Sequence, residues 1–241
     1  MVTKGYDKRA DGRKFDQLRD MEAKVGIIKR ADGSAFFRMG KTKVIAAVHG
    51  PRELFPGFLQ NPETGILRVI YDMMSFSVTD RKRPGPSRRS VEIGLVTHNA
   101  LIAAVDLKQF PNTVVDVFIM VVQADAGTRC AGINAAAMAL ADAGIPMKDL
   151  VSAVSVGKIG DKIALDLDAD EEHFEGEGGS TDIPTALMPR SNEFTLLQLD
   201  GNVTKKELNE ALKMSREACK KIYELQKKTL KEKYEVAKND D

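Results

Sequence analysis

Residues 113–146 read TVVDVFIMVVQADAGTRCAGINAAAMALADAGIP. The β-branched run predicts a strand over Thr113–Gln123. Its lack of polar alternation reads as burial on both faces. The small residues that follow predict a helix over 130–143, ended by Gly144 with Pro146 just beyond. Between strand and helix lies Asp125-Ala126-Gly127-Thr128-Arg129. Gly127 lets the backbone approach a ligand. Thr128 offers a hydroxyl and an N–H, and Arg129 a guanidinium, all at a helix start where anions are favoured. The same spacing also suits a plain strand-to-helix turn with Thr128 as the cap.

A second anion site is suggested upstream. Residues 81–89 read RKRPGPSRR, five basic residues in nine, although the chain of 241 residues carries a net charge of only +1. The positive charge is therefore local. The apolar run Val91–Leu107 predicts a helix from about Ser90. Arg88 and Arg89 would then stand at the positive end of its dipole. Taken alone, such a run is as easily a solvated loop.

Downstream the sign reverses. Asp166 to Glu177 holds seven carboxylates and no Lys or Arg. Clustered carboxylates suit a hard divalent cation, Mg²⁺ in particular, and suit an acidic surface loop equally well. Asp182 differs, because it opens an apolar strand-like run, Ile183 to Met188.

The remaining pattern alternates strands and helices. Residues 1–20 are polar and predict an arm with little core of its own. Hairpins are expected for Val25–Ile28 with Ala35–Met39, for Val151–Val156 with Lys162–Leu167, and for Asp182–Met188 with Glu193–Leu199. Ile45–Val48 and Leu67–Met73 read as further strands, separated by a long loop from Pro51 to Gly65. Thr204 and Glu207 form a capping box. The last helix, about 204–235, carries Leu208, Leu212, Ser215, Cys219, Ile222 and Leu225 on one face. Antiparallel hairpins interrupted by helices indicate an α+β fold. No Pro/Gly/Ser-rich linker divides the chain, so residues 1–241 are expected as one domain.

Composition narrows the function classes. The chain is 43% hydrophobic and 29% charged, ample for a sizeable core. No secretory signal or bilayer-spanning run is evident. Two cysteines, Cys130 and Cys219, both fall in predicted helices, which reads as a reducing cytoplasm. Three scattered histidines argue against zinc. Aromatics are 6% and Trp is absent, so an aromatic stacking platform for RNA is not indicated. Cys130, beside Arg129, reads as a buried core thiol rather than a nucleophile.

An ordered set of motifs resembles the RNase PH family. It comprises Arg9-Ala-Asp-Gly-Arg13 with Leu18-Arg19, and Gly40-x-Thr-x-Val44 leading to Gly50-Pro51. Ser87-Arg88-Arg89-Ser90-x-Glu92-Ile93, Gln123 to Arg129, and Ala141 to Pro146 follow. Asp166, Asp182-Ile-Pro and Leu197-Gln-Leu-x-Gly201 complete it. The likeness runs from about residue 9 to 235 and is strongest to the catalytic RNase PH-like subunits of archaeal exosomes.

The resemblance implies a fold like the second domain of ribosomal protein S5. It implies 3′→5′ phosphorolysis of RNA, with inorganic phosphate as co-substrate, Mg²⁺ as cofactor and nucleoside diphosphates as products, reversible as RNA tailing. The implied partners are the 3′ end of single-stranded RNA, a homologous non-catalytic subunit in a hexameric ring (a trimer of dimers), and RNA-binding cap subunits. Phosphate would be held by Arg89, Gly127, Thr128 and Arg129. RNA would be held by Arg81, Lys82, Arg83, Arg88 and Arg89. Asp182 matches the second of two active-site carboxylates, which would also hold the metal. The first falls on Glu172, with Asp170 and Glu171 as alternatives, because the acidic stretch is about four residues longer than the family's. Relatives often carry basic residues where this chain has Pro56-Gly57-Phe58. The alternatives are a stand-alone tRNA-trimming enzyme and a ring subunit that binds RNA without catalysis.

Overall fold

A computed structural model describes residues 6, 8–80, 82–176 and 178–236. A first sheet holds five strands: β1 (Met21–Val25), β2 (Gly33–Met39), β3 (Thr42–Glu53), β4 (Ile66–Met73) and β5 (Thr113–Gln123), in the order β1-β2-β3-β5-β4. A second holds β6 (Ser152–Ile159), β7 (Lys162–Leu165), β8 (Ser180–Met188) and β9 (Glu193–Leu197), in the order β7-β6-β8-β9. The helices are α1 (Arg88–Ile102), α2 (Thr128–Asp142), the single turn α3 (Ala169–Glu172) and α4 (Lys205–Val236). The architecture is α+β.

The small residues of α2 explain its place. It packs against strands of both sheets, and Ala131, Ala135, Ala136, Ala137 and Ala139 are fully buried. At Gly132 an added methyl would come within 3.2 Å of the Ile119 side chain. Larger residues would force the layers apart. One hydrophobic cluster therefore draws on both sheets, from Phe37 and Val117 to Val154 and Ile183. Two further helices complete it: α1 covers β4 and adds Ile93 and Leu101, and α4 lies across β6 and β7 and adds Ala218 and Ile222.

All pairings are antiparallel except β4 with β5, which runs parallel from Ile66↔Val114 to Met73↔Val121. Each of these two strands is followed by a helix. Their carboxyl ends, and hence two helix N-termini, emerge side by side at one edge of the sheet, where ligands of open sheets gather.

Several expectations need correction. The cap of α1 is Ser87, whose hydroxyl exchanges bonds with Ser90 in a capping box. Arg88 and Arg89 thus lie inside the first turn. Gly127, left-handed at φ 61°, caps α2 in place of Thr128. The β5 strand alternates: Val115, Val117, Ile119 and Val121 are buried, while Asp116, Phe118 and Met120 are only half-buried. The first hairpin strand is Met21–Val25, not Val25–Ile28, and β3 extends to Glu53 into the expected loop. Asp182 sits third in β8 rather than at its start. In α4, Ala211 and Ala218 are buried where Leu208 and Leu212 are only partly so. The arm, expected to have little core of its own, buries Arg9 and Arg19 at 1% and 7% exposure.

Candidate active site

The edge where α1 and α2 begin opens into a cleft of about 560 Å³. One wall carries Arg89, Gly127, Thr128 and Arg129; the other carries Glu172 and Asp182. Residues expected to act together on sequence grounds thus meet, although they lie far apart in the chain.

The cationic wall is built on two helix starts. The α2 cap supplies no side-chain bond to the first-turn N–H groups, so these remain available at the positive end of the dipole. The turn itself is pinned from β3. Thr42 Oγ1 donates to the Ala126 carbonyl at 2.7 Å and accepts from the Asp125 N–H at 3.0 Å. Arg129 Nη1 donates to Gln198 Oε1 at 2.5 Å, and its buried Nε has no partner among the described residues. A buried guanidinium nitrogen left free beside a cleft is suited to an oxyanion. Arg89 lies exposed on the first turn of α1 and reaches the same cleft.

The acidic wall comes from α3 and β8. Burial pushes the Glu172 carboxyl above its usual range, and the charge of Asp182 pushes it further. The Gly127 amide and Arg89 pull the other way without reversing the shift. Burial likewise raises Asp182, against a hydrogen bond donated by Ser155 Oγ and the charge of Arg129. Each carboxyl therefore keeps its proton to a higher pH than an exposed one.

Three neighbours in the acidic stretch are engaged elsewhere. Glu171 accepts from Arg9 at 2.5 and 2.7 Å and from the Tyr6 hydroxyl at 2.9 Å. Asp166 is paired with Arg19, and Asp168 caps α3. Asp170 is exposed and does not line the cleft. Of the three candidates for the first carboxylate, Glu172 alone faces Asp182 across it. Among the described residues no group of three or more His, Cys, Asp or Glu side chains gathers as a metal site. A pair of carboxylates still fits Mg²⁺, which takes one or two protein carboxylates and completes its shell with water and substrate phosphates.

The basic loop is only partly drawn in. Lys82 lines the cleft, but its ammonium pairs with Asp72 and donates to the Met73 carbonyl at 3.1 Å. Arg83 and Arg88 are exposed and outside the cleft lining. Arg81 lies outside the described residues. Cys130 is buried, its thiol pushed well up by that burial, which agrees with a core thiol. Three contributors escaped the sequence: Tyr71, Ser155 and Gln198. Tyr71 and Ser155 look like ordinary strand residues; Gln198 stands in the quoted Leu197-Gln-Leu motif, which alone could have flagged it.

Comparison with known proteins shows the family. Residues 17–146 match the model of the 3′ exoribonuclease family (RNase PH), domain 1, and residues 149–218 match domain 2. The exosome complex component Rrp41 of Thermococcus gammatolerans is 54% identical over 227 residues, covering 94% of this chain and 90% of its own. That of Methanopyrus kandleri is 48% identical over 226 residues, covering 94% and 93%. Among solved structures, rice (Oryza sativa) Rrp46 superimposes with a TM-score of 0.80 at 27% identity, over 92% of this chain and all of its own. The Archaeoglobus fulgidus exosome with RNA bound to the active site gives 0.75 at 25% identity, over 90% and 92%.

Proposed function

The chain belongs to the RNase PH family of 3′ exoribonucleases, and from that premise we propose that it is the catalytic subunit of an exosome ring, shortening RNA by phosphorolysis. The observation that carries this reading is the convergence of Arg89, Thr128 and Arg129 on one wall with Glu172 and Asp182 on the other.

Phosphorolysis brings two anions together, so the site must first offset their repulsion. Arg89 and Arg129 hold inorganic phosphate, with Thr128 and the free N–H groups of α2 assisting. Arg88 holds the RNA backbone. A phosphate oxygen attacks the last phosphodiester, forming the new P–O–P bond of a nucleoside diphosphate. The P–O bond to the 3′-oxygen of the penultimate nucleotide breaks. Asp182 would help stabilise or protonate this oxygen, directly when it carries a proton or through Mg²⁺ when it is ionised. Glu172 and Asp182 would hold Mg²⁺, which supplies charge neutralisation to the phosphoryl oxygens.

Assembly into a ring is supported by apolar side chains in the open. Val91 is 65% exposed and Leu95 61%; with Ile102 they share one face of α1. Phe55 and Phe58 are 86% and 85% exposed. Patches of this kind mark protein–protein contacts. A homologous non-catalytic subunit, alternating with this chain in a hexamer that carries RNA-binding caps, is the partner inferred. The two free, buried cysteines suit a reducing compartment, and the cytoplasm is the location inferred; among the described residues no helix is long and apolar enough to cross a membrane.

The test is an RNA with a single-stranded 3′ end, incubated with and without inorganic phosphate in the presence of Mg²⁺. Nucleoside diphosphates should appear only with phosphate. Nucleoside monophosphates formed without it would mean hydrolysis and end this reading.

A further inference from the structure

Beneath the cationic wall lies a buried phenol. Tyr71, in β4, is 4% exposed, and its hydroxyl is 2.9 Å from Thr128 Oγ1. The ring rests against α2 at Gly132, where an added methyl would touch it at 3.6 Å. The hydroxyl therefore sits on a rigid element and meets the first residue of α2 from below.

Two hydroxyls in contact share two protons, and their placement is constrained. Among the described residues, neither oxygen makes any other hydrogen bond. If Thr128 donated, the phenolic proton would be buried without an acceptor, an arrangement folded proteins avoid. Tyr71 must then donate and Thr128 accept. Thr128 Oγ1 keeps a proton of its own, and Thr128 is one of the residues that line the cleft. Burial also pushes the Tyr71 pKa up, against the pull of Thr128 and of Arg89 and Arg129, so the phenol remains a donor throughout the neutral range.

We propose that Tyr71 is a positioning residue of the phosphate site: by donating to Thr128 Oγ1, it turns the Thr128 proton toward inorganic phosphate in the cleft. Without the phenol, the Thr128 hydroxyl is free to rotate and to donate elsewhere. The site then loses orientation at one of its donors, while the guanidinium groups of Arg89 and Arg129 are untouched. The proposal rests on the phosphorolytic reading given above.

The experiment is a phosphate titration of the assembled complex at saturating RNA, comparing the parent with Tyr71→Phe, Thr128→Val and the double variant. Tyr71→Phe keeps the ring that packs on Gly132. It should raise the KM for phosphate by about five- to tenfold, the worth of one oriented hydrogen bond, with kcat changed less than about twofold on the same ground. RNA affinity measured without phosphate should be unchanged. Thr128→Val should raise the KM as well, and adding Tyr71→Phe to it should raise it no further. An unaltered KM in Tyr71→Phe, or the same factor in both backgrounds, overturns the proposal. So does a fall in kcat with KM unmoved, because the proposed bond is made to bound phosphate before the reaction and its loss must appear in KM. Degradation by the parent without phosphate is a separate outcome: it removes the phosphorolytic reading itself.

Discussion

Arg19 joins the two walls of the cleft. Its guanidinium holds both oxygens of Asp166, at 2.6 and 3.0 Å, and donates to the Asp125 carbonyl at 2.5 Å. Asp166 starts the acidic stretch that delivers Glu172; Asp125 starts the turn that delivers Thr128 and Arg129. Asp166 is fully buried and left-handed at φ 55°, uncommon for a residue other than glycine. The ion pair thus fixes the spacing between anion donors and carboxylates, from a position the substrate need not touch.

Removing the cation should be costly. Arg19→Met leaves the buried Asp166 with only the longer contact to Arg13, at 3.8 Å, and losing the main partner of a buried pair typically costs about 3–5 kcal/mol. Equilibrium unfolding in denaturant measures it. Adding Asp166→Asn should return a large part of the loss, because the stranded charge is then gone. If the two substitutions add independently, the pair is not coupled as the geometry indicates.

How the chain could be read follows from sequence distance. The β5 strand, the turn and α2 are contiguous, and each leaves a local mark: β-branched residues, Gly127, then small residues. They were legible within one or two positions. The end-to-end meeting of α1 and α2 was not, because it depends on β4 lying parallel to β5, and nothing local encodes strand direction. The acidic stretch misled for the same reason. Its seven carboxylates suggest a cation site, yet Arg9 and Arg19 take Glu171 and Asp166 from more than a hundred residues away. Among the described residues of that stretch Glu172 faces the cleft, where Asp182 and Asp80 also stand. Ser87 and Ser90 show a finer limit. Either serine can begin a helix, and the capping box that selects Ser87 needs both.

Asp182 should separate catalysis from binding. Asp182→Asn is nearly isosteric and keeps a partner for the Ser155 hydroxyl, so folding and assembly should survive. Turnover should fall by at least about a hundredfold, the scale of a lost general acid. RNA affinity should hold or rise, since a negative charge has left the site. Single-turnover rates and equilibrium binding, measured on one preparation, read the two effects apart. Near-parental turnover in an assembled variant would remove Asp182 from the chemistry.

The raised carboxyls predict a dependence of stability on pH. Burial lifts the pKa values of Glu172 and Asp182 in the fold, with the charge of Asp182 adding to the first shift and that of Asp200 to the second. The folded state therefore binds these protons more tightly than the unfolded state does. Their contribution to stability improves as pH falls through the folded pKa and is complete below the unfolded one; at neutral pH the ionised pair is a liability. In the presence of a chelator, Glu172→Gln should melt above the parent at neutral pH. The gap should close as pH drops below the ordinary carboxylate range. A gap that stays constant across the titration would mean the shift is not what stabilises the variant.

The basic loop offers a test of which cations meet RNA. Lys82 is held by Asp72 and the Met73 carbonyl, so its charge is already neutralised in the fold. Arg83 and Arg88 are exposed and make no ion pair among the described residues. Binding to a single strand weakens with salt by about 0.7 log units per log of salt for each phosphate contact. In the assembled ring, Arg83→Ala and Arg88→Ala should each flatten the slope by about that amount. Lys82→Ala should leave the slope nearly unchanged, because it frees no RNA phosphate. The isolated chain, with one such loop and a net charge of +1, should bind weakly. Adding a homologous partner should strengthen binding and steepen the slope, because a ring repeats the loop around its opening. Filter binding across a salt series, on the chain alone and on the ring, yields every slope. Equal slopes for the parent ring and for Arg83→Ala/Arg88→Ala would show that the loop does not contact RNA, and that the cations of the cleft suffice.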